Sequence, residues 1–298
     1  DLLRLEGGTG TDAILVSGDV LLGAASLFLE SETITVDASA TISTTDNVLL
    51  NAIAASTFAG STAPLTSLNL IAGLTVNGSI TGDAVKLTST VSNTLDLAGA
   101  ATSFAVDSSS SATTTVGAMA SITASTLEVT ANTDTFLSVD VTGATVESIQ
   151  MGSAETPMTQ TTHAAIAGGA QLSIGTAALS EDESASILVQ ATDTTDIQTS
   201  ISTDTSLITQ FTGFDAVFSS THLSRDTKAS IGDENAQTII NGGDAETAAG
   251  ALKVSAENRD GDNGGVVSEV VSDFLGVHTT EVDKDDAIAT IENADVTA

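Results

Sequence analysis

The stretch LEVTANTD at residues 127–134 recurs as ILVQATDT at 187–194 and as LKVSAENR at 252–259. In each copy, the first, third and fifth positions are apolar, as in Leu127, Val129 and Ala131. Successive residues of an extended chain point to opposite faces, so these three positions share one face. The alternation predicts a β-strand with one buried side. The shrinking of the apolar residues to Ala suggests that the strand approaches a tight corner.

A second phrase repeats in step with the first. Ile166, Ile231 and Ile291 occupy equivalent places in HAAIAGG, KASIGDENA and AIATIENADVTA. A looser copy of the first phrase, ITVDASATIS, stands at positions 34–43. Both phrases recur with a period of roughly 60–65 residues, which is typical of stacked architectures in which each unit packs on its neighbours.

We expect an all-β fold, a parallel β-helix that runs as one continuous solenoid over residues 1–298. Coils of such solenoids hold roughly 20 residues, so each superrepeat should contain about three coils. With coils about 4.8 Å apart, the chain would form a rod roughly 70 Å long. The C-terminal end repeats an internal phrase, and the N-terminal end begins with apolar residues that need cover, Leu2, Leu3 and Leu5. We therefore expect both ends to be continued by more polypeptide or by a stacked subunit.

One segment fits this pattern less well. GGVVSEVVSDFLG, at residues 264–276, places apolar residues at helical spacing. Four Val within it favour a strand, because β-branched side chains suit sheets better than helices. We predict a strand and keep a short helix as the alternative.

Composition excludes several partners. The chain has 39 acidic and 7 basic residues, for a net charge of −32, and no Cys, Trp or Tyr. Binding to nucleic acid, or docking on an anionic membrane, requires basic side chains that are scarce here. Apolar runs also stay shorter than the roughly 18 residues that a membrane span needs. Charge of this sign favours cations as partners, or serves solubility alone.

Two groups of phrases resemble known surface proteins. The stretch SGDVLLGAASLFLESETITVDASATIST, at positions 17–44, resembles the coils of filamentous-haemagglutinin-like secreted adhesins. The phrases from position 162 to the C-terminus resemble the repeat tracts of giant bacterial surface proteins. The resemblance implies a right-handed parallel β-helix, export to the cell surface or beyond, and a role in adhesion or surface structure.

A calcium site is predicted in NRDGDNGGVVSE, at residues 258–269. Its spacing places Asn258, Asp260, Asp262 and Glu269 at positions 1, 3, 5 and 12 of a calcium-binding loop. Asn263 stands where such loops need Gly, so a solvated acidic turn is the alternative interpretation.

No catalytic or other cofactor-binding residues are expected. His163, His222 and His278 are widely spaced, and three stacked coils would hold neighbours about 14 Å apart, too far to share a metal. No nucleophile motif or phosphate loop stands out. We therefore expect a protein that is not an enzyme.

The resulting hypothesis is an extracellular or cell-surface β-solenoid that forms a stalk, fibre or surface filament. Its expected partners are copies of itself end to end, other subunits of a fibre, or glycans. An ice-binding β-helix and a carbohydrate-active β-helical enzyme are the alternatives. Ice binding needs Thr-x-Thr at one place on every coil, and the three opening phrases carry Glu-Val-Thr, Leu-Val-Gln and Lys-Val-Ser there.

Overall fold

The computed structural model describes residues 1–8, 10–60, 66–99, 103–142, 148–151, 157–175, 187–202, 216–242, 252–261, 266–271 and 275–297. Every element in these ranges is a β-strand, and they contain no helix. The expectation of an all-β fold is confirmed.

The strands form three sheets, with eight, eight and seven strands in the described residues. Sheet A contains β1 (Leu2–Glu6), β4 (Ser26–Ser31), β7 (Val48–Gly60), β10 (Ala84–Gly99), β13 (Thr126–Thr142), β17 (Ile187–Ser202), β20 (Leu252–Asp260) and β21 (Val266–Val271). Sheet B contains β2 (Ala13–Val16), β5 (Thr33–Val36), β8 (Thr66–Val76), β11 (Ser103–Val116), β14 (Ser148–Met151), β15 (Met158–Ile166), β18 (Ala216–Ile231) and β22 (Leu275–Ile291). Sheet C contains β3 (Val20–Gly23), β6 (Thr41–Thr44), β9 (Ser79–Thr81), β12 (Ser121–Ala124), β16 (Gln171–Ile174), β19 (Thr238–Gly242) and β23 (Ala294–Thr297).

The chain passes through sheets A, B and C in turn, and we call one such pass a coil. Ladder pairs between coils are parallel, for example β10 with β13 and β13 with β17. Equivalent residues therefore stack in columns. One inward column of sheet A, in chain order, is Leu3, Leu27, Val48, Val85, Leu127, Ile187 and Leu252. This arrangement is that of a parallel β-solenoid.

The register corrects the expected coil size. Leu127 pairs directly with Ile187, and Ile187 pairs directly with Leu252. Each long repeat is therefore a single coil, and its expected division into three coils is wrong. Much shorter coils, near the expected size, occur at the other end of the stack, where Leu3 pairs with Leu27 and Leu27 pairs with Val48.

The added residues lengthen two of the sheets. Strands of sheet A grow from 5 residues in β1 to 17 in β13, whereas strands of sheet C keep 3 to 5 residues throughout. Because sheets A and B lengthen towards the same corner, their far ends face each other beyond the three-sided core. We call this two-sheet extension the arm.

The stack is shorter than expected. The longest path through a sheet links seven strands, so six steps of about 4.8 Å give a height of about 29 Å rather than roughly 70 Å. The described part of the chain is a broadening stack of seven coils.

Two apolar cores lie inside the solenoid. The larger core fills the three-sided part and includes Val129, Val189, Ile34 and Ile122, all fully buried. The smaller core fills the arm and consists of Leu95, Leu97, Val106, Leu137, Val139, Val141, Met158, Ile197 and Leu223. The predicted inward faces of the opening phrases are confirmed, since Leu127, Val129 and Ala131 are buried.

The corner between sheets B and C is a tight, stacked turn. A Cβ added to Gly78 would lie 2.4 Å from the carbonyl oxygens of both Asp37 and Ala40, in the turn of the preceding coil. Glycine is thus required where two turns touch.

The segment at residues 264–276, for which a short helix was the alternative, forms a strand at Val266–Val271. The predicted strand is confirmed there; residues 272–274 lie outside the described residues.

Candidate functional site

A buried polar stripe separates the two cores. Two inward columns of sheet A carry polar residues. The first changes from apolar to polar as the coils broaden, and the second is polar in every coil. The columns are Ala54, Val91, Thr133, Asp193, Asn258 and Ser56, Asn93, Thr135, Thr195, Asp260. Polar side chains of sheet B face them, among them Thr162 and Gln160, which are 0% and 4% exposed. Buried polar groups need hydrogen-bond partners, and hydrogen bonds link the centre of the stripe from Thr133 through Thr162 and Asp193 to Thr195.

Asp193 lies at the centre of this network. It is fully buried on β17, and its carboxylate accepts hydrogen bonds from Thr195 Oγ1 at 2.8 Å and from Thr162 Oγ1 at 3.5 Å. Burial raises the pKa of Asp193 to about 6, because desolvation disfavours the charged form. The hydrogen bond from Thr195 and the positive charge of Arg225 act in the opposite direction.

Gln160 faces Asp193 across the interior, from β15 of sheet B. In the amide orientation that satisfies both ends of its side chain, the nitrogen lies 2.8 and 3.0 Å from the two carboxylate oxygens of Asp193. The Gln160 oxygen then accepts a hydrogen bond from Thr135 Oγ1 at 3.0 Å. Thr195 Oγ1 lies 2.7 Å from the amide nitrogen and 3.3 Å from the amide oxygen. A carboxylate, a carboxamide and two hydroxyl groups thus meet in a site that is closed to solvent.

At the last coil, the stripe ends at an ion pair. The guanidinium of Arg225 on β18 is 7% exposed and approaches both carboxylate oxygens of Asp285, at 2.9 and 3.0 Å. Asn258 Nδ2 donates a hydrogen bond to the same carboxylate at 2.6 Å. A buried charge of this kind needs its partner, because an unpaired guanidinium there would be strongly unfavourable.

The predicted calcium ligands are not all placed together. Asn258 and Asp260 lie in strand β20 and not in a turn, and Asp260 Oδ1 is 4.0 Å from the Arg225 guanidinium. The backbone of Glu269 pairs with Ser200, whereas that of Asp260 pairs with Thr195. These two positions are about 16 Å apart along β17. Asp262 lies outside the described residues, and calcium binding stays a prediction.

All three histidines lie on strands of sheet B. His163 on β15 is half-buried on the outer face, and its Nε2 is 3.4 Å from Asp226 Oδ2. His222 belongs to β18, and the backbone of His278 on β22 pairs with Ser219. The described residues contain no group of three or more His, Cys, Asp or Glu side chains that could hold a metal ion.

A groove of about 390 Å³ lies at the corner between sheets A and B in the first coils. Its lining includes Gly7, Glu30, Ser31 and Glu32. The groove lies where the short strand β4 is followed by the longer β7, so the first broad coil forms its floor. Glu32 Oε2 accepts a hydrogen bond from the backbone nitrogen of Asp12 at 2.9 Å. The groove is acidic and open to solvent.

Comparison of the chain with protein-family models, with curated proteins and with solved structures found no match. No helix able to span a membrane was found in the described part of the chain. The fold thus defines the class, a parallel β-solenoid with a buried polar stripe.

The stripe was not predicted from the sequence. Thr133, Asp193 and Thr195 follow Ala131 and Ala191 at inward positions, where the hydrophobic pattern ends. An alignment of the repeat copies could have revealed the stripe, because residues 133–135 read TDT and the equivalent residues 193–195 read DTT. Polar residues that recur at the same inward register indicate a buried network and not a turn.

Proposed function

We propose that the protein is a non-enzymatic, extracellular structural or adhesive β-solenoid that forms part of a stalk, fibre or surface filament. We take its coil to be right-handed, because crossovers between parallel strands of one sheet have that hand in about 98% of cases. The observation that carries the proposal is the stacking of coils in three parallel sheets. The acidic centre of the stripe supports a structural role, since Asp193 is fully buried.

The first coil offers a surface for stacking. The side chains of Leu3 and Leu5 begin the inward columns of sheet A and are 46% and 52% exposed. In the described residues, β1, β2 and β3 pair on one side alone, with β4, β5 and β6. Unpaired strand edges with exposed apolar residues favour addition of another strand layer. A second copy placed head to tail would cover these leucines.

The geometry limits such a contact to the three-sided part of the coil. The first coil is short and runs from Leu3 to its ladder partner Leu27. The coil that runs from Ile187 to its ladder partner Leu252 is much longer. A copy stacked on β20, β22 and β23 would therefore leave the arm, including β21, uncovered. Heterologous contacts of this kind propagate into filaments unless they close.

Electron microscopy and light scattering of the purified chain test this proposal. We expect linear assemblies whose formation depends on concentration, and their loss in the double variant Leu3→Asp, Leu5→Asp. Leu15→Asp is the matched control, because Leu15 is 62% exposed in the same coil and lies on β2 of sheet B. A wild-type chain that stays monomeric at millimolar concentration, or equal assembly of the double variant, contradicts the filament proposal.

A second function is favoured by one specific feature, the outer face of sheet C. Short polar side chains stand at two neighbouring outward columns in successive coils. One column is Ser43, Thr81, Thr123 and Ser173, and the other is Thr41, Ser79 and Ser121, which the next coil interrupts with Gln171. The three opening phrases, which lack the Thr-x-Thr pattern, lie in sheet A, where Glu128, Leu188 and Lys253 stack. A regular hydroxyl array on a flat face is what an ice-binding solenoid requires.

Inhibition of ice recrystallisation decides between these functions. If sheet C binds ice, the wild-type chain inhibits crystal growth and Thr81→Tyr with Thr123→Tyr abolishes the effect. Asp140→Tyr, on the exposed outer face of β13 in sheet A, should retain it. No inhibition by the wild-type chain removes the ice-binding alternative and leaves the structural proposal untouched.

A further inference from the structure

The buried site around Gln160 has the geometry of a reactive site. Thr195 Oγ1 donates a hydrogen bond to Asp193 Oδ1 at 2.8 Å, as a nucleophile does to its general base. The same oxygen lies 2.7 Å from the nitrogen and 3.3 Å from the oxygen of the Gln160 carboxamide. These two atoms flank the carbonyl carbon, so the hydroxyl is within the near-attack range of about 3–3.5 Å.

We propose that Thr195 and Gln160 form an intramolecular ester cross-link between sheets A and B, with release of ammonia. The inference concerns the chemistry of the interior and does not rest on the proposed extracellular role. It assigns a covalent modification site to residues that otherwise only satisfy one another's hydrogen bonds.

Each atom of the reaction has a place in the site. Asp193 takes the proton of the Thr195 hydroxyl as its oxygen attacks the carbonyl carbon of Gln160. The oxygen of the tetrahedral intermediate carries the developing negative charge and accepts the hydrogen bond from Thr135 Oγ1, 3.0 Å away in the starting structure. The carbon–nitrogen bond then breaks, and Asp193 returns the proton to the leaving nitrogen, which lies 2.8 and 3.0 Å from its two oxygens.

The reaction needs no other reactant. A carboxamide and a hydroxyl group become an ester and ammonia, with no change in oxidation state. The carboxylate acts as a proton carrier between nucleophile and leaving group, and a pKa of about 6 for Asp193 suits that task at neutral pH. The exposed fractions of Thr195, Thr135 and Gln160 are 1%, 3% and 4%, so water that would hydrolyse the ester is excluded.

The cross-link would replace a disulfide in a chain that has no cysteine. It joins β15 of one coil to β17 of the next and closes a loop between Gln160 and Thr195 across the interior. Covalent closure of a loop restricts the unfolded chain and so stabilises the folded one. The bond lies where the polar stripe interrupts apolar packing between the two cores.

Intact mass spectrometry of the folded 298-residue chain tests the proposal. We expect a mass about 17 Da below that of the sequence, the loss of one ammonia. Succinimide formation at Asn-Gly gives the same loss, and the chain has such pairs at Asn77, Asn241 and Asn263. Proteolysis must therefore yield one linked pair of peptides, containing Gln160 and Thr195, that mild alkali separates with conversion of residue 160 to Glu.

Three variants identify the atoms involved. Thr195→Val removes the nucleophile with little change of shape, and Asp193→Asn removes the proton carrier; both should show the full sequence mass. Thr199→Val is the control, because Thr199 is a buried Thr on β17 two inward positions further on, and it should keep the deficit.

Measurements on the wild-type chain alone can overturn the proposal. A folded wild-type chain of full mass, or a linked pair that lacks either Gln160 or Thr195, excludes the ester even if the variants fail to fold. Persistence of the deficit in Thr195→Val assigns it to the Asn-Gly pairs and also excludes the ester. Persistence in Asp193→Asn excludes the assigned proton carrier.

Discussion

Val189 on β17 pairs with Val129 on β13, and both side chains are fully buried although they belong to successive copies of the long repeat. The pairing shows that one repeat makes one coil. Val254 continues the same column in the next coil and is partly buried. The interior of each coil is thus completed by its neighbours, as in other stacked repeats.

Replacing Val189 by Asp should destabilise the chain strongly. The substitution buries a carboxylate between Val129 and Val254 with no positive partner in the column, and such unpaired charges cost about 3–5 kcal/mol. Leu188→Asp is the matched control, because Leu188 is the adjacent residue and points to the outer face beside Lys253. Denaturant unfolding should show a much lower midpoint for Val189→Asp, and equal losses in the two variants would show that the faces are assigned wrongly.

The turn between sheets B and C should tolerate no side chain at Gly78. Its added Cβ would meet two carbonyl oxygens of the preceding turn at 2.4 Å, so Gly78→Ala must displace backbone, at about 1–3 kcal/mol. Gly73→Ala provides the comparison, because Gly73 lies in β8 and a Cβ there meets nothing within 4 Å. We expect thermal melts to show a loss for the first variant and no loss for the second. A neutral Gly78→Ala would contradict the close stacking of the turns.

Asp193 should make stability fall as pH rises towards neutrality. Its pKa is about 6 in the folded chain, against an ordinary value of 3.8, so the folded state holds the proton more tightly. The stabilisation is fully present below pH 3.8 and is lost as pH rises through 6, with a difference of about 3 kcal/mol. Between about pH 4.5 and 7, the melting temperature of the wild type should therefore fall relative to that of Asp193→Asn.

The test compares how the melting temperature of each variant changes with pH. An ester at Thr195 would raise stability by an amount that depends little on pH, so it would not alter this slope. Asp140→Asn, at an exposed position of β13, is the control for loss of one carboxylate from a highly acidic chain. Parallel slopes for the wild type and Asp193→Asn would mean that Asp193 titrates with an ordinary pKa.

Calcium should stabilise the chain if the predicted ligands bind it. A ligand that binds the folded state raises stability by about 2.7 kcal/mol at a concentration one hundred times its dissociation constant. We expect melts in calcium to exceed those in chelator at constant ionic strength, with a smaller difference in Asp260→Asn than in Asp140→Asn. Equal effects in the two variants would assign the response to general screening of the charge.

The alternation in LEVTANTD and its copies determined which residues of sheet A face inward, because strand geometry gives successive side chains opposite directions. The same copies determined that the coils stack in parallel, since equal phrases pair at equal places. Leu127, Ile187 and Leu252 were identified as equivalent positions on this basis alone.

The tertiary structure alone decided that each long repeat is one coil. Period-two alternation specifies a face, but it does not specify where a strand ends when its inward residues become polar. The shrinking of the inward residues to Ala131 and Ala191 suggested a corner, yet β13 continues to Thr142 and β17 to Ser202. The polar inward residues beyond these alanines remain in strands because their hydrogen-bond partners come from sheet B, at positions that are distant in the sequence. Contacts of this kind, such as Thr195 with Gln160, depend on how two sheets face each other, which the pattern of a single strand does not contain.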